Sequence, residues 1–207
     1  MKTTIITTAA IFAIMMTACS SDDSDNAVVE EPLSERIEYE FNTETEIPNG
    51  TGELAIVTIN VEEDKVIIDP TKIHIEITLE HEVALDLSFG YLMPNTGNEF
   101  KTIVNQLGGF NKYIPQNVFS FNPENTQIIN PSENHYYPQQ TIPAGKYREG
   151  TNNPEYPVET PLFQSMLNKN IKGQWKFYFL DSVELDQGKV IKIKLIFDEG
   201  ALEVTNN

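Results

Sequence analysis

The feature that most constrains the fold is a strict alternation of apolar and polar side chains between residues 173 and 197. This stretch reads GQWKFYFLDSVELDQGKVIKIKLIF, and one face of its two halves carries Trp175, Phe177, Phe179, Ile191, Ile193, Leu195 and Phe197. A period of two over runs of this length predicts antiparallel strands with one face in a core. Lys192 and Lys194 mark the solvent face. The loop between the halves, residues 181–188, ends in Gly188, which can take a positive φ, so the sequence predicts a hairpin.

Other short segments have the same character. They are Glu53–Val61, Lys65–Ile68, Lys72–Leu79 and Val83–Leu92, and turn residues such as Asp69-Pro70 separate them. No long segment has helical periodicity, and only residues 161–168 favour a short helical turn, with a proline near its start. Many short strands without βαβ spacing predict an all-β sandwich or jelly roll.

The N-terminus has the order of a secretory signal. Lys2 is followed by the apolar run IITTAAIFAIMM, and Met16-Thr17-Ala18-Cys19 resembles the lipobox of bacterial lipoproteins. The chain has a single cysteine, so an internal disulfide is excluded, and we expect Cys19 to be lipidated after removal of residues 1–18. The alternative is an ordinary cleaved signal with an incidental cysteine.

Residues 20–35, SSDDSDNAVVEEPLSE, are acidic and contain no aromatic residue, so segment 19–40 is predicted to be a flexible tether before a domain at 41–200 and a tail at 201–207. Ser-Asp-Asp behind the cysteine resembles the surface-export signal of Bacteroidetes lipoproteins. This predicts display on the cell surface from the outer membrane, with the periplasmic face as the alternative. The net charge of −17 excludes nucleic acid as a partner and limits membrane contact to the lipid anchor.

Three stretches resemble the P domain (homo B domain) of proprotein convertases, here as a stand-alone Bacteroidetes-type lipoprotein. They are residues 47–52, 73–97 and 161–197, and the positions that follow the family pattern are Ile47, Pro48, Asn49, His81, Asp86, Leu87, Pro94, Gly173, Trp175, Asp181, Asp186, Gln187 and Gly188. The resemblance implies a galactose-binding-like jelly-roll β-sandwich of about eight mainly antiparallel strands. Such domains accompany subtilisin-like proteases and stabilise them without chemistry of their own.

Catalytic motifs are missing from the sequence. A subtilisin-like protease needs Asp-Thr-Gly, His-Gly-Thr and Gly-Thr-Ser-Met-Ala segments, and none occurs. The three histidines, His74, His81 and His135, are scattered and have no zinc-binding spacing, so we expect each to be a surface or turn residue. The sequence predicts a protein that is not an enzyme.

Calcium is the one cofactor that the resemblance suggests, because some P domains bind this ion. The candidate ligands are Asp86, Asp181, Glu184 and Asp186, since oxygen-rich loops suit a hard cation. The Asp-x-Asp-x-Asp-Gly spacing of a compact calcium loop is absent from the sequence. The alternative is that these carboxylates cap turns in solvent.

The middle segment, residues 114–161, is rich in proline, asparagine and tyrosine. Asn134, Tyr136 and Tyr137 are candidate ligand-binding residues, because asparagine and tyrosine hydrogen-bond and stack on sugars or peptides. The alternative is that the prolines stiffen a cover over a sheet edge and the tyrosines pack beneath it. Two functions remain open: a noncatalytic surface lipoprotein that binds or stabilises a protein partner, for example a secreted subtilisin-like protease, and an adhesin that captures a surface glycan or peptide.

Overall fold

The computed structural model describes residues 35–50, 52–83, 87–97, 100–105, 112–129, 140–149, 162–184 and 186–205. These residues form strands and two short 3-10 helices, Pro70–Lys72 and Phe163–Met166. The strands are β1 Ile37–Ile47, β2 Ala55–Val61, β3 Lys65–Ile67, β4 Ile73–His81, β5 Leu87–Leu92, β6 Lys101–Val104, β7 Lys112–Phe121, β8 Gln140–Thr141, β9 Gly145–Tyr147, β10 Gly173–Asp181, β11 Gly188–Phe197 and β12 Leu202–Val204. Neither helix has the length and apolar character needed to cross a membrane.

The strands form two main sheets. The six-stranded sheet has the order β1-β11-β4-β7-β8, with β9 also paired to β7, and the four-stranded sheet has the order β2-β10-β5-β6. The small strands β12 and β3 pair with each other. All pairs are antiparallel except those of β8 and β9 with β7. The predicted all-β sandwich is therefore confirmed.

The core contains Trp175, whose side chain is fully buried. Its indole lies 6.1 Å from the ring of Tyr91 in the four-stranded sheet and 6.2 Å from the ring of Phe197 in the six-stranded sheet. The indole Nε1–H donates a 2.9 Å hydrogen bond to the carbonyl of Ile171. Trp175 thus fills space between the layers and satisfies its polar atom, as a buried tryptophan must.

The predicted hairpin is wrong. β10 pairs with β2 and β5, whereas β11 pairs with β1 and β4, so the two strands lie in different sheets. The loop 182–187 crosses from one layer to the other. Alternation reports which face of a strand is buried but not which strands flank it, and packed sheets about 10 Å apart can be joined by a short connection.

Most of strand β7, Lys112–Phe121, lies within the proline-, asparagine- and tyrosine-rich segment 114–161. Tyr147, from the same segment, is buried, and its ring packs 6.0 Å from Phe119 and 6.3 Å from Phe121. The sequence does not indicate the start of β7, because Pro115 lacks the N–H group that a central strand needs. The structure accommodates it with an irregular backbone at the next residue, Gln116, whose φ is 25°.

The structured part of the chain extends beyond residues 41–200 at both ends. β1 begins at Ile37, within the expected tether, and β12 lies within the expected tail. In β1, Ile37 and Tyr39 pack on the core and alternate with glutamates that pair with lysines. The acidic composition of this strand therefore results from its solvent face.

Candidate site at the loop between the sheets

Several strand ends meet at the loop 182–187. Ile47 at the end of β1 pairs with Gly188 at the start of β11, and Gly188 pairs in turn with His81 at the end of β4. β10 ends at Asp181, directly before the loop. The fold thus brings together residues that match the P-domain pattern and part of the predicted calcium ligands.

His81 and Asp181 form a buried pair at this end of the sandwich. Nε2 of His81 lies 3.3 Å from Oδ2 of Asp181, and 0% and 2% of the two side chains are exposed. The other carboxylate oxygen, Oδ1, accepts a 3.0 Å hydrogen bond from the backbone N–H of Val183. The expectation that His81 is a surface or turn residue is therefore wrong.

The sequence held a signal for the burial of His81. The buried residues of β4 alternate from Ile73 onward, and His81 occupies the next position in the same phase after Leu79. A polar residue in phase with a buried apolar series must have a polar neighbour inside the fold. That neighbour, Asp181, could not be identified because it lies in the opposite sheet.

Two glycines allow the loop to pack closely. A Cβ on Gly188 would lie 2.1 Å from Cδ2 of the His81 ring, and a Cβ on Gly50 would lie 2.5 Å from the backbone nitrogen of Glu184. Gly50 also has a positive φ of 58°, but Gly188 is not among the residues with positive φ. Residue 188 must therefore be small because the imidazole lies against it. The predicted reason, a positive φ at Gly188, is wrong.

The loop is also tied to the residue after β4. The backbone N–H of Glu82 donates to the carbonyl of Gln187 at 2.9 Å, and the N–H of Gln187 donates to the Glu82 carboxylate at 3.1 Å. Burial raises the pKa of Asp186, and the negative charges of Asp181 and Glu82 raise it further, while His81 lowers it. The surroundings of Asp186 are therefore dominated by negative charge.

The described side chains do not fit a calcium ion at Asp181. One of its oxygens is bound to Val183 and the other faces His81, while Glu184 is exposed. Within the described ranges, no group of three or more His, Cys, Asp or Glu side chains is arranged to hold a metal ion. Asp86 lies outside the described residues, so the calcium prediction stays a prediction.

Among the described residues at this end of the sandwich, four polar atoms are buried without a hydrogen bond. They are Oδ1 of Asn49, both ring nitrogens of His81 and Oδ2 of Asp181. The contact between His81 and Asp181 is therefore electrostatic rather than a well-aligned hydrogen bond. Such atoms are uncommon in folded proteins and identify this pair as the least satisfied polar contact at the loop.

The second described histidine is also paired. Nε2 of His74 lies 2.8 Å from Oδ2 of Asp198, and Nε of Arg36 lies 3.5 Å from Oδ1 of the same carboxylate. Within the part of the chain that the structure describes, neither His74 nor His81 is hydrogen-bonded to a hydroxyl or thiol. His135 lies outside the described residues.

The candidate ligand-binding residues Asn134, Tyr136 and Tyr137 lie outside the described residues, as does Cys19. Two described residues of the same types and the same segment, Asn125 and Tyr147, make hydrogen bonds within the fold. The Asn125 side chain donates to the carbonyl of Tyr147 at 2.9 Å, and the Tyr147 hydroxyl donates to the carbonyl of Pro143 at 2.8 Å. At these two positions the residues pack within the fold, as the alternative to ligand binding expected.

The outer face of the six-stranded sheet is a ladder of opposite charges. Lys194 lies 2.6 Å from Glu38 and 3.0 Å from Glu40, and Lys192 lies 3.2 Å from Glu40. Hydrogen bonds from Asn42 and Lys194 lower the pKa of Glu40 to about 2. This confirms that the lysines mark a solvent face, and their charges are satisfied within the sheet.

The outer face of the four-stranded sheet is different. Its four strands contain one carboxylate, the buried Asp181, and none on the outer face. Across the sheet, Ile56 pairs with Tyr178, Tyr178 with Gly90, and Gly90 with Thr102.

This acid-free face carries exposed apolar side chains. Phe100 packs edge-on against Tyr178 with ring centroids 4.5 Å apart, and the hydroxyls of Tyr178 and Thr102 share a 2.6 Å hydrogen bond. Leu54, Ile56 and Phe100 are 39%, 47% and 36% exposed. We call these three side chains, together with Tyr178, which is only 7% exposed, the apolar patch.

Comparison with known proteins gives limited information. No family model matches the chain, and no curated protein matches it. Among solved structures, the chain is similar to one described as the crystal structure of serine protease of Aeromonas sobria, with a TM-score of 0.44 and 11% identity. The match covers 83% of this chain and 28% of that chain. At this level the similarity identifies neither a family nor an activity.

Proposed function

We propose that this protein is a noncatalytic surface lipoprotein whose β-sandwich binds a protein partner through the apolar patch. The observation that carries the proposal is an apolar, acid-free sheet face on a chain with a net charge of −17. The P-domain resemblance makes a secreted subtilisin-like protease the first partner to test, as a protein that the module stabilises.

The contrast between the two sheet faces supports this choice. Single exposed apolar residues are ordinary, but several together on one face are typical of interaction sites. Aromatic side chains such as those of Phe100 and Tyr178 are enriched where proteins bind each other. The six-stranded sheet offers paired charges instead, which gain little from a partner because they are already neutralised.

Charge gives the expected character of the partner. Lys176 projects from the face beside Thr58, and it has no ion pair with a described residue. Because the rest of the chain is strongly acidic, a partner can approach this face with the least repulsion. We therefore expect an apolar partner surface with a carboxylate at its rim, opposite Lys176.

The N-terminal sequence gives the proposed location. Lipidation at Cys19 would hold the protein at the outer membrane, and the tether would carry the sandwich away from the bilayer. Cell-surface display follows from the export-signal resemblance, with the periplasmic face as the alternative. In either case the membrane is contacted through the lipid anchor alone.

The test is binding of a subtilisin-like protease from the same cell to the full lipoprotein in detergent. Ile56→Asp places a charge in the apolar patch, and Val118→Asp is the matched control, since Val118 is 44% exposed on the outer face of the other sheet. We expect Ile56→Asp to weaken binding by about tenfold or more and Val118→Asp to leave it unchanged. Equal affinities for the two variants would reject the apolar patch as the binding surface.

A second function, capture of a glycan or peptide, is favoured by one observation. The backbone N–H of Arg148 donates to the carbonyl of Gln127 at 2.8 Å, so these two described residues of the middle segment lie side by side. Asn134, Tyr136 and Tyr137 belong to the same middle segment, 114–161, and lie outside the described residues. Retention on a glycan array that is lost in Tyr136→Ala/Tyr137→Ala, with Ile56→Asp still retained, would favour this function over the first.

A further inference from the structure

The carboxylates around the loop 182–187 need a positive charge. Asp181 is buried, and Asp186 and Glu82 lie close enough for their charges to repel. A buried carboxylate without a nearby cation or a full set of hydrogen bonds is costly. Proteins commonly meet this need with a metal ion, and Asp181 and Asp186 are among the predicted calcium ligands.

The position that a cation would take against Asp181 is filled by a side chain. The His81 imidazole faces Oδ2 at 3.3 Å and is fully buried, and neither of its nitrogens makes a hydrogen bond. Gly188 packs directly on the ring, so the ring cannot move toward β11. The imidazole is therefore held in place by the backbone and directed only at the carboxylate.

We propose that His81 takes the place of a metal ion at this carboxylate cluster and makes the inter-sheet loop independent of metal. The nitrogen nearest to Asp181, Nε2, supplies the positive end of this electrostatic contact. His81 is thus a positioning residue, which acts on the loop through Asp181. The chemistry that it replaces is that of a hard divalent cation bound by oxygens.

The first test uses the wild-type lipoprotein in detergent, so its result does not depend on whether a variant folds. The melting temperature is measured in EDTA and in a calcium titration to millimolar concentration. We expect no shift between these conditions. A saturable increase of the melting temperature with calcium would overturn the proposal, because it would show that the cluster still requires an ion.

The second test removes the imidazole. His81→Asn supplies a smaller side chain with a carbonyl oxygen, so the space beside Asp181 becomes an oxygen-lined site. We expect the melting temperature of His81→Asn to fall by roughly 5 °C or more in EDTA and to recover partly with calcium. His81→Asn/Asp181→Asn is the control, and we expect it to show no calcium response.

The stabilities of the His81 variants distinguish a counter-charge for Asp181 from ordinary packing of the ring. If His81→Phe, which keeps the ring volume without a nitrogen, is as stable as the wild type, the proposal is wrong. It is also wrong if His81→Asn is destabilised but responds neither to calcium nor to free imidazole. Calcium stabilisation of His81→Asn that disappears in the double variant would establish that a cation and the imidazole occupy the same place.

Discussion

Gly188 lies against the imidazole of His81 so closely that a Cβ on residue 188 would come within 2.1 Å of Cδ2. Gly188→Ala should therefore force the ring away from Asp181 and destabilise the fold by about 1–3 kcal/mol, the usual cost of overpacking. Urea unfolding measures this change. In a His81→Ala background the same substitution should cost less, because the clash is gone, and strictly additive effects would contradict the contact.

Trp175 should be among the most sensitive positions of the core. Trp175→Ala removes the indole between Tyr91 and Phe197 and leaves the Ile171 carbonyl without its donor. We expect a loss of about 3–5 kcal/mol in the free energy of unfolding. Tyr113→Ala, at a 39% exposed aromatic residue, is the control and should change stability by less than about 0.5 kcal/mol. A similar loss in both variants would argue against the packing described.

Glu40 should make stability depend on pH in the acid range. Hydrogen bonds from Asn42 and Lys194 lower its pKa from 4.5 to about 2. Because the folded pKa is lowered, the stabilisation is present above pH 4.5 and is lost as the pH falls toward about 2. Its side chain is 35% exposed, so the effect is small and weakened by salt.

Glu40→Gln isolates this contribution. Thermal melts between neutral pH and pH 2 should show a shallower loss of stability in the variant than in the wild type. An identical slope for the two proteins would contradict the stabilisation assigned to the Glu40 carboxylate.

A hydrogen bond joins Glu149 and Leu162, the two described residues on either side of segment 150–161. Glu149 is buried, and its Oε1 accepts a 3.1 Å hydrogen bond from the backbone N–H of Leu162. Glu149→Ala leaves that donor unpaired, and we expect a cost of about 1–3 kcal/mol in unfolding free energy. Glu149→Gln keeps an acceptor and should recover most of the stability. A fully stable alanine variant would contradict the role of this bond.

The strands and the core were largely predictable from the sequence, because side-chain alternation reports burial directly. Trp175, Phe177 and Phe179 lie in the core as their period indicates, and Lys192 and Lys194 lie on the solvent face. The pairing of β10 and β11 with other strands was not predictable. Alternation contains no information about neighbours across a sheet, and nearness in sequence suggested the wrong partner.

The candidate sites depend on such neighbours. Asp181 meets His81 only because the loop 182–187 crosses between layers, and Ile56, Tyr178 and Gly90 come from strands far apart in the chain. The phase of His81 within β4 was a usable signal of burial, but the reason for a glycine at 188 was not visible. A sequence shows that a residue is small, whereas only the fold shows what lies against it.

The most direct test of the proposed function is hydrogen–deuterium exchange of the lipoprotein with and without the bound protease. The apolar patch predicts slower exchange on binding in β2, around residues 54–58, and around residues 100–102, with no change in β4 or in the β1 strand of the charged sheet. Protection confined to the six-stranded sheet, or an absence of protection in β2 when the complex is saturated, would contradict the assignment of the four-stranded sheet as the binding face.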